Sequence, residues 1–325
     1  MFGIFQKSSF ASKFSRFYSA QIPVDLERIG EFRGDAFPAC APECWIDQPN
    51  ALQEIAAREA RGELSGDDAQ MCRQFVVEGY YIARGLIDAD LIDSVWGAYE
   101  EGIRSGLISV QPESHGEGDP YPGRRLDPHL QVTRVRDLQW HSSILRITDL
   151  LFGRKTLPFQ TIMGHKGSAQ PAHSDAIHMT TYPLGFLIAN WIAMEDIHPD
   201  SGPLFYYPRS HRLLPYMLSG DLGLPPRAFK EGEAVYTRYE AALRTYIDAY
   251  GLKPETFLPQ KGDVLFWHSN LVHGGAARND LSHSRKALVC HYFAERAVTY
   301  HDLSGNLTRL HRNGVYSPVV TDQPV

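Results

Sequence analysis

The sequence predicts a mainly β protein with flanking helices, of the β-sandwich or jelly-roll type. After Lys155 the chain contains short runs of β-branched and aromatic residues, and turn residues separate each run from the next. In the part before Lys155, apolar residues recur at helical spacing over longer segments. Short strands at such regular spacing are typical of sandwiches and jelly rolls.

The helical pattern occupies the region before residue 110. We expect a helix over 51–61, and Ser65 together with Asp68 approximates a capping box that begins a second helix. Residues 80–83 have the composition of a strand, and Asp88 can cap a third helix with its apolar residues on one face. This region therefore predicts three helices and one strand.

The strand pattern begins after Lys155. A long insertion over 212–258 interrupts it, and the aromatic residues of that insertion repeat at helical spacing, which favours packing into a core over lining a ligand site. The six predicted strands are 156–163, 176–182, 186–194, 204–207, 263–267 and 287–293.

Length and composition set the domain organisation. A chain of 325 residues with 43% hydrophobic residues can bury a sizeable core. We expect residues 1–50, which lack steady periodicity, to form an irregular N-terminal arm. Residues 51–325 should form a single domain with lid insertions at about 110–136 and 212–258, because these segments are long and one is rich in Pro, Gly and Asp.

Charge and apolar patterning exclude several classes of partner. The net charge of −6 gives no general attraction to nucleic acid or to an anionic membrane. No apolar run approaches the roughly 18 residues that span a bilayer. The four cysteines are interpreted as reduced thiols of a cytoplasmic protein. The alternative is organellar targeting by residues 1–24, which contain three basic residues and no acidic one.

A metal site is suggested by histidine and aspartate two positions apart. On a strand, His173 and Asp175 would point to one face, where an imidazole and a carboxylate can bind one metal ion. His198 and Asp200 have the same spacing, so the pattern alone leaves two candidates. A non-haem iron(II) centre needs a second histidine, for which His273 at the end of a predicted strand is our candidate.

A cationic residue follows the candidate ligand. Arg285 lies twelve residues after His273, about the length of one hairpin, so the two could lie on neighbouring strands. A 2-oxo acid that chelates iron needs a fixed cation for its distal carboxylate. Arginine supplies two parallel hydrogen bonds to a carboxylate, which lysine does not. His173, Asp175, His273 and Arg285 are therefore predicted to form one site.

Four segments of the sequence form a recognisable series. They are Gln-Phe-Val-Val-Glu-Gly-Tyr-Tyr-Ile-Ala over 74–83 and onward to 87, His-Ser-Asp over 173–175, Trp-Ile-Ala-Met-Glu-Asp with Ser-Gly-Pro-Leu and Pro-Arg-Ser-His over 191–211, and Lys-Gly-Asp through His-Gly to Arg-Lys-Ala over 261–287. In this order the segments resemble the phytanoyl-CoA dioxygenase family of Fe(II)/2-oxoglutarate-dependent oxygenases. In the third segment, Arg209 stands where the family usually has glycine.

The resemblance implies a fold, cofactors and residue roles. The fold would be a double-stranded β-helix, a cupin-like jelly roll with the metal inside its open end. Fe(II) would be held by His173, Asp175 and His273, with 2-oxoglutarate and O2 as cosubstrates. Trp191 matches a position that lines the 2-oxoglutarate pocket, and Gln160 is a candidate for the same pocket. His198-Pro199-Asp200 falls in a variable turn, which removes it as a ligand pair.

The expected reaction is hydroxylation of an unactivated C–H bond of a small-molecule substrate, with release of succinate and CO2. Asp175 favours hydroxylation, since the related halogenases have a small residue at that position so that chloride can bind iron. Desaturation or cyclisation in natural-product biosynthesis is the alternative with the same iron chemistry. A catalytically silent jelly-roll binding protein is the alternative of another class. The family name does not identify the substrate.

Overall fold

The computed structural model describes residues 43–110, 119–217, 232–302, 306–310 and 314–318. Most of the predicted N-terminal arm, 1–42, lies outside the described residues, as do 111–118 and 218–231 of the two predicted lids. The division into an arm, one domain and two lids stays a prediction. No helix in the described ranges is long and apolar enough to cross a membrane.

The helices begin and end where capping residues permit. The Ser65 side chain accepts a hydrogen bond from the Asp68 backbone nitrogen. At the start of the next long helix, the Asp88 side chain accepts one from the Asp90 backbone nitrogen. Gly79 ends its helix with a φ of 84° against the ring of His211, where a Cβ atom would clash. The helices are α1 Ala51–Ala60, α2 Gly66–Glu78, α3 Ala89–Arg104, α4 Arg136–Gln139, α5 Ser142–Phe152, α6 Ser210–Leu213 and α7 Gly232–Ala249.

The strands pair antiparallel throughout the described chain. The largest sheet has six strands in the order β1-β8-β5-β10-β3-β2, and smaller sheets have the orders β7-β6-β9, β12-β11-β4 and β13-β14. The strands are β1 Tyr80–Ala83, β2 Arg125–Leu126, β3 Thr156–Gly164, β4 Met179–Tyr182, β5 Leu187–Ala193, β6 Leu204–Tyr206, β7 Glu255–Thr256, β8 Val264–His268, β9 His273–Gly275, β10 Ala287–Ala294, β11 Val298–His301, β12 Asn306–Leu307, β13 Arg309–Leu310 and β14 Tyr316–Ser317.

The two faces of the large sheet bury different partners, because successive side chains of a strand point to opposite faces. On β5, Ile188 and Ile192 belong to the apolar cluster that includes the helices. Trp191 faces the other way and packs with Tyr206 of β6 and with Phe257, which follows β7. Helices thus cover one face and small sheets cover the other, which confirms the predicted mainly β jelly roll with flanking helices.

One predicted strand is shorter than the sequence pattern indicated. We expected 176–182 to be extended, but Asp175–Ile177 form a 3-10 turn and the strand begins only at Met179. Hydrogen bonds hold the turn: the His178 nitrogen donates to the Asp175 carbonyl, and the Ala176 nitrogen donates to the Ser269 carbonyl. His173 and Asp175 therefore do not share a regular strand, and the turn brings the carboxylate beside the imidazole.

Candidate active site

Three buried side chains meet at one end of the jelly roll. His173 lies in an isolated antiparallel bridge with His273, the first residue of β9, and Asp175 begins the 3-10 turn. The two bridge hydrogen bonds have N···O distances of 2.9 and 2.8 Å. One ligand atom from each of the three residues lies within 4.8 Å of the others. The chain thus places two imidazoles and one carboxylate as a facial metal site requires.

Both imidazoles are held in one tautomer. Nδ1 of His173 lies 2.8 Å from the Pro171 carbonyl oxygen, and Nδ1 of His273 lies 2.9 Å from the Leu271 carbonyl oxygen. A carbonyl oxygen only accepts, so each Nδ1 carries the proton and donates it. The Nε2 lone pairs are therefore available to a metal ion, and the hydrogen bonds fix the orientation of both rings.

The two oxygens of Asp175 have different surroundings. Nε1–H of Trp267 donates to Oδ2 at 2.7 Å, and Nε2 of His291 lies 3.7 Å from the same oxygen. Oδ1 instead lies 3.6 Å from Nε2 of His273. Because Oδ2 is occupied by the indole, Oδ1 is the oxygen directed towards the metal position. Trp267 and His291 were not among the site residues predicted from the sequence.

Ionisation states at the site suit metal binding. Burial alone would raise the pKa of Asp175, but the neighbouring His273 and His291 lower it well below its usual range. Burial, followed by the proximity of His273 and His178, lowers the pKa of His173 well below its usual range. The carboxylate is thus ionised and the imidazole neutral at neutral pH, which is the form in which both bind a metal.

A cavity of about 120 Å³ opens beside the three residues. Its walls come from β3, β5, β8, β9 and β10 and from the segment before His173. Trp191 and Arg285 both line it, whereas Gln160 lies opposite His291 in the pairing of β3 with β10 and is outside the lining. The lining residues are Arg124, Ile162, Gly164, Lys166, Ser168, Gln170, His173, Asp175, Trp191, Leu204, Trp267, His273, Gly274, Gly275, Arg285, Ala287, Val289 and His291.

Arg285 is a buried cation on the same wall as the metal position. Its Nη1 donates to the Gly202 carbonyl at 3.2 Å, and its guanidinium carbon lies 5.7 Å from the centre of the Trp191 ring. From Arg285 the wall continues through Ala287 and Val289 to His291, which lies beside Asp175. The structure thus joins the predicted cationic residue and the three candidate ligands in one cavity.

The rival pair lies elsewhere. His198 precedes a 3-10 turn, accepts a hydrogen bond from the Asp200 backbone nitrogen and stacks on His283. Its side chain and that of Asp200 are 43% and 48% exposed, in a surface turn as expected. His268 points away from the cavity, and its Nε2 lies 2.9 Å from Asp47 in a buried network.

The sequence matches a family model described as phytanoyl-CoA dioxygenase (PhyH) over residues 136–287. The human protein named phytanoyl-CoA dioxygenase, peroxisomal, is 24% identical over 257 residues, which are 72% of this chain and 70% of that protein. Phytanoyl-CoA dioxygenase domain-containing protein 1 of Bos taurus is 25% identical over 196 residues, 57% of this chain and 64% of that protein.

Solved structures share the fold. The non-haem α-ketoglutarate-dependent carbocyclase SnoK from nogalamycin biosynthesis superposes with a TM-score of 0.56 at 19% identity, covering 74% of this chain and 88% of that one. EctD from S. alaskensis, solved with 2-oxoglutarate and 5-hydroxyectoine, has a TM-score of 0.51 at 17% identity over 75% of this chain and 78% of that one.

The matched segment 136–287 contains the three candidate ligands, Arg285 and Trp191. The donor set fits iron(II), because two imidazoles and one carboxylate border a cavity that leaves room for further ligands. The chain is similar to the phytanoyl-CoA dioxygenase family, and its fold and donor set are those of a non-haem iron(II)- and 2-oxoglutarate-dependent oxygenase with a double-stranded β-helix fold.

Proposed function

We propose that this protein hydroxylates an unactivated C–H bond of a small-molecule substrate, with release of succinate and CO2. In this proposal His173, Asp175 and His273 bind the iron, and Arg285 binds the distal carboxylate of 2-oxoglutarate. The observation that carries the proposal is the fixed carboxylate of Asp175. It supplies the third protein ligand, so this position is closed to a halide ion.

Iron with bound 2-oxoglutarate supplies the oxidising chemistry, and the protein supplies orientation and enclosure. Trp267 holds Oδ2 of Asp175 and so directs Oδ1 towards the metal. The bridge between His173 and His273 holds the two imidazoles next to each other, so that both would bind the same ion. The adjoining cavity would admit 2-oxoglutarate, O2 and the substrate.

Arg285 and Trp191 form the end of the cosubstrate pocket in this proposal. The guanidinium is buried, so its charge acts in a medium of low polarity and attracts a carboxylate more strongly than it would in water. Trp191 packs beside it and restricts the space for the carbon chain of the cosubstrate. Gln160 lies outside the cavity lining, opposite His291 on the neighbouring strand, and its role in the cosubstrate pocket stays a prediction.

Similar structures and the cysteines bear on the substrate class and on the location. Of two structures with a similar fold, one is an enzyme from nogalamycin biosynthesis and the other was solved with 5-hydroxyectoine. Both molecules are small, which supports a small-molecule substrate for this protein. We place the protein in the cytoplasm, since the three described cysteines are free and buried. The human relative is named peroxisomal, and organellar targeting through residues 1–24 is therefore the alternative.

The test is a mass-spectrometric screen. The full chain is incubated with Fe(II), 2-oxoglutarate, ¹⁸O₂ and pools of small molecules, and succinate is measured in parallel. We expect a product heavier by one ¹⁸O atom in a one-to-one ratio with succinate, and none from Asp175→Ala. A product lighter by two hydrogens instead identifies desaturation or ring closure. A wild-type protein that neither binds nor consumes 2-oxoglutarate supports a silent binding protein.

A further inference from the structure

A buried group of three charges adjoins the cavity. Oδ2 of Asp119 accepts a hydrogen bond from Nζ of Lys166 at 3.0 Å and another from Nη1 of Arg278. The side chains of Lys166, Asp119 and Arg278 are only 3%, 4% and 2% exposed. Among the described residues the group contains two cations and one anion, so within them it carries one net positive charge at a position of low exposure, which favours a further anionic partner.

Lys166 is the member of the group that borders the cavity. It is one of the lining residues, whereas Asp119 and Arg278 are not. The ammonium group has three N–H donors, yet Asp119 is its one hydrogen-bond acceptor among the described residues. Two donor directions of a buried cation are thus available to oxygen atoms of a ligand.

The cosubstrate does not account for this cation. In the proposed function Arg285 donates two parallel hydrogen bonds to the distal carboxylate of 2-oxoglutarate. Lys166 is adjacent, since Nη2 of Arg285 lies 3.5 Å from its carbonyl oxygen, but its ammonium group extends to Asp119 in the loop before β2. That loop is also held by Tyr121, whose hydroxyl donates to the Ser282 carbonyl at 2.7 Å.

We propose that Lys166 binds an oxyanion of the substrate, a carboxylate or a phosphate. When no substrate is bound, Asp119 accepts the hydrogen bond of the Lys166 ammonium group, and the oxyanion replaces Asp119 as that acceptor. Asp119 then keeps its hydrogen bond to Arg278, and the group becomes two balanced ion pairs. The substrate is therefore an anionic small molecule, bound between the cavity and the loop that carries Asp119. This inference rests on the proposed function, because it assigns Arg285 to the cosubstrate.

The test uses the full chain with Fe(II) and 2-oxoglutarate under anaerobic conditions, where the charge-transfer band of the chelate reports that the cosubstrate is bound. Hexanoate, hexyl phosphate and hexan-1-ol serve as probes with one carbon chain and different head groups, and calorimetry measures their binding. We expect at least one of the two anions to bind about tenfold more tightly than the alcohol, as one charged hydrogen bond provides. The tighter of the two anions distinguishes carboxylate from phosphate.

Two variants should have opposite effects. Lys166→Gln should lose the preference for the anion, whereas Asp119→Asn should increase anion affinity, because the competing carboxylate is gone. Both should bind 2-oxoglutarate as the wild type does, and Lys253→Gln, which removes an exposed charge, should change nothing. A purely structural ion group predicts instead that both variants weaken binding.

Three results overturn the inference while leaving the proposed function intact: an alcohol bound as tightly as the anions, no binding of either anion, or Lys166→Gln weakening only 2-oxoglutarate. In each of these three cases the wild-type protein still shows the normal charge-transfer band. Absence of that band in the wild type contradicts the proposed function itself.

Discussion

The hydroxyl oxygen of Tyr239 lies 2.6 Å from the backbone nitrogen of Ser174, between the two proposed ligands of the same segment. It also lies 3.1 Å from the Ser174 hydroxyl. Tyr239 belongs to α7 and is fully buried. The helix of the 212–258 insertion therefore holds the ligand segment in place, a role beyond the core packing that its aromatic pattern predicted.

Tyr239→Phe removes this hydroxyl and keeps the ring. We expect Fe(II) affinity to fall about tenfold, as is usual when a residue that supports a metal ligand is changed. The measurement is Fe(II) binding under anaerobic conditions, together with the thermal shift that the metal produces. Tyr250→Phe is the control, since Tyr250 is 51% exposed just after the same helix. An unchanged Fe(II) affinity in Tyr239→Phe contradicts the supporting role.

Trp267→Phe removes the donor to Oδ2 of Asp175. The carboxylate is then free to rotate, so we expect about tenfold weaker metal binding with little change in 2-oxoglutarate affinity per bound iron. Trp191→Phe should instead weaken 2-oxoglutarate binding with little change in metal affinity, because Trp191 lies beside Arg285 and not beside Asp175. Equal effects of the two variants on metal affinity would show that the indole of Trp267 acts only by packing.

Arg285→Lys keeps the charge and loses the paired donors. We expect the dissociation constant of 2-oxoglutarate to rise by about tenfold or more, since one hydrogen bond to a charged group contributes roughly 1.5–3 kcal/mol. Binding of 2-oxobutyrate, which has no distal carboxylate, should be unchanged. Lys286→Gln is the control, because Lys286 pairs with Glu195 instead of lining the cavity. An equal loss for both 2-oxo acids contradicts the assignment of Arg285.

Asp127 gives the protein a pH dependence of stability. Burial raises its pKa to about 7, against about 3.9 in an unfolded chain. The buried carboxyl is protonated at low pH, so its contribution to stability is complete below the unfolded pKa and is lost as the pH rises through about 7.

Asp127→Asn should remove that dependence. Asparagine tolerates the φ of 52° at this position, and its side-chain oxygen can still accept from the Thr161 nitrogen. The difference in unfolding free energy between the variant and the wild type should change in favour of the variant by on the order of 2 kcal/mol when the pH rises from about 5 to about 8. Urea unfolding at both pH values measures it, with the exposed Asp67→Asn as control. A constant difference between variant and wild type contradicts the prediction.

The sequence pattern was sufficient for much of the fold and for the main site residues. Strand periodicity predicted β3, β5, β8 and β10. The spacing of the histidines and carboxylates left two candidate pairs, and the family resemblance selected the residues that share the cavity, namely His173, Asp175, His273 and Arg285. That prediction depended on the chemistry of the donor groups and on the order of the segments, and both can be determined from the amino-acid sequence.

Other site features depend on register and on distant contacts. The hydrogen bond from Trp267 to Asp175 joins residues 92 positions apart, and Lys166 meets Asp119 across 47 positions. Alternate residues Ala287, Val289 and His291 of β10 continue the wall that begins at Arg285, two residues before the strand, so the signal for His291 was present in the sequence. Gln160 has an inward position on β3, but the cavity ends before it, which no local pattern specifies.

The most direct measurement of the central claim is the anaerobic absorption spectrum of the purified chain with Fe(II) and 2-oxoglutarate. We predict the weak visible charge-transfer band of the iron chelate at one iron per chain in the wild type. Asp175→Ala, with its fold retained by circular dichroism, should lose the band or the iron. A folded wild-type protein without the band, or Asp175→Ala with the same band and the same substrate-dependent succinate release, would contradict the assignment of His173, Asp175 and His273.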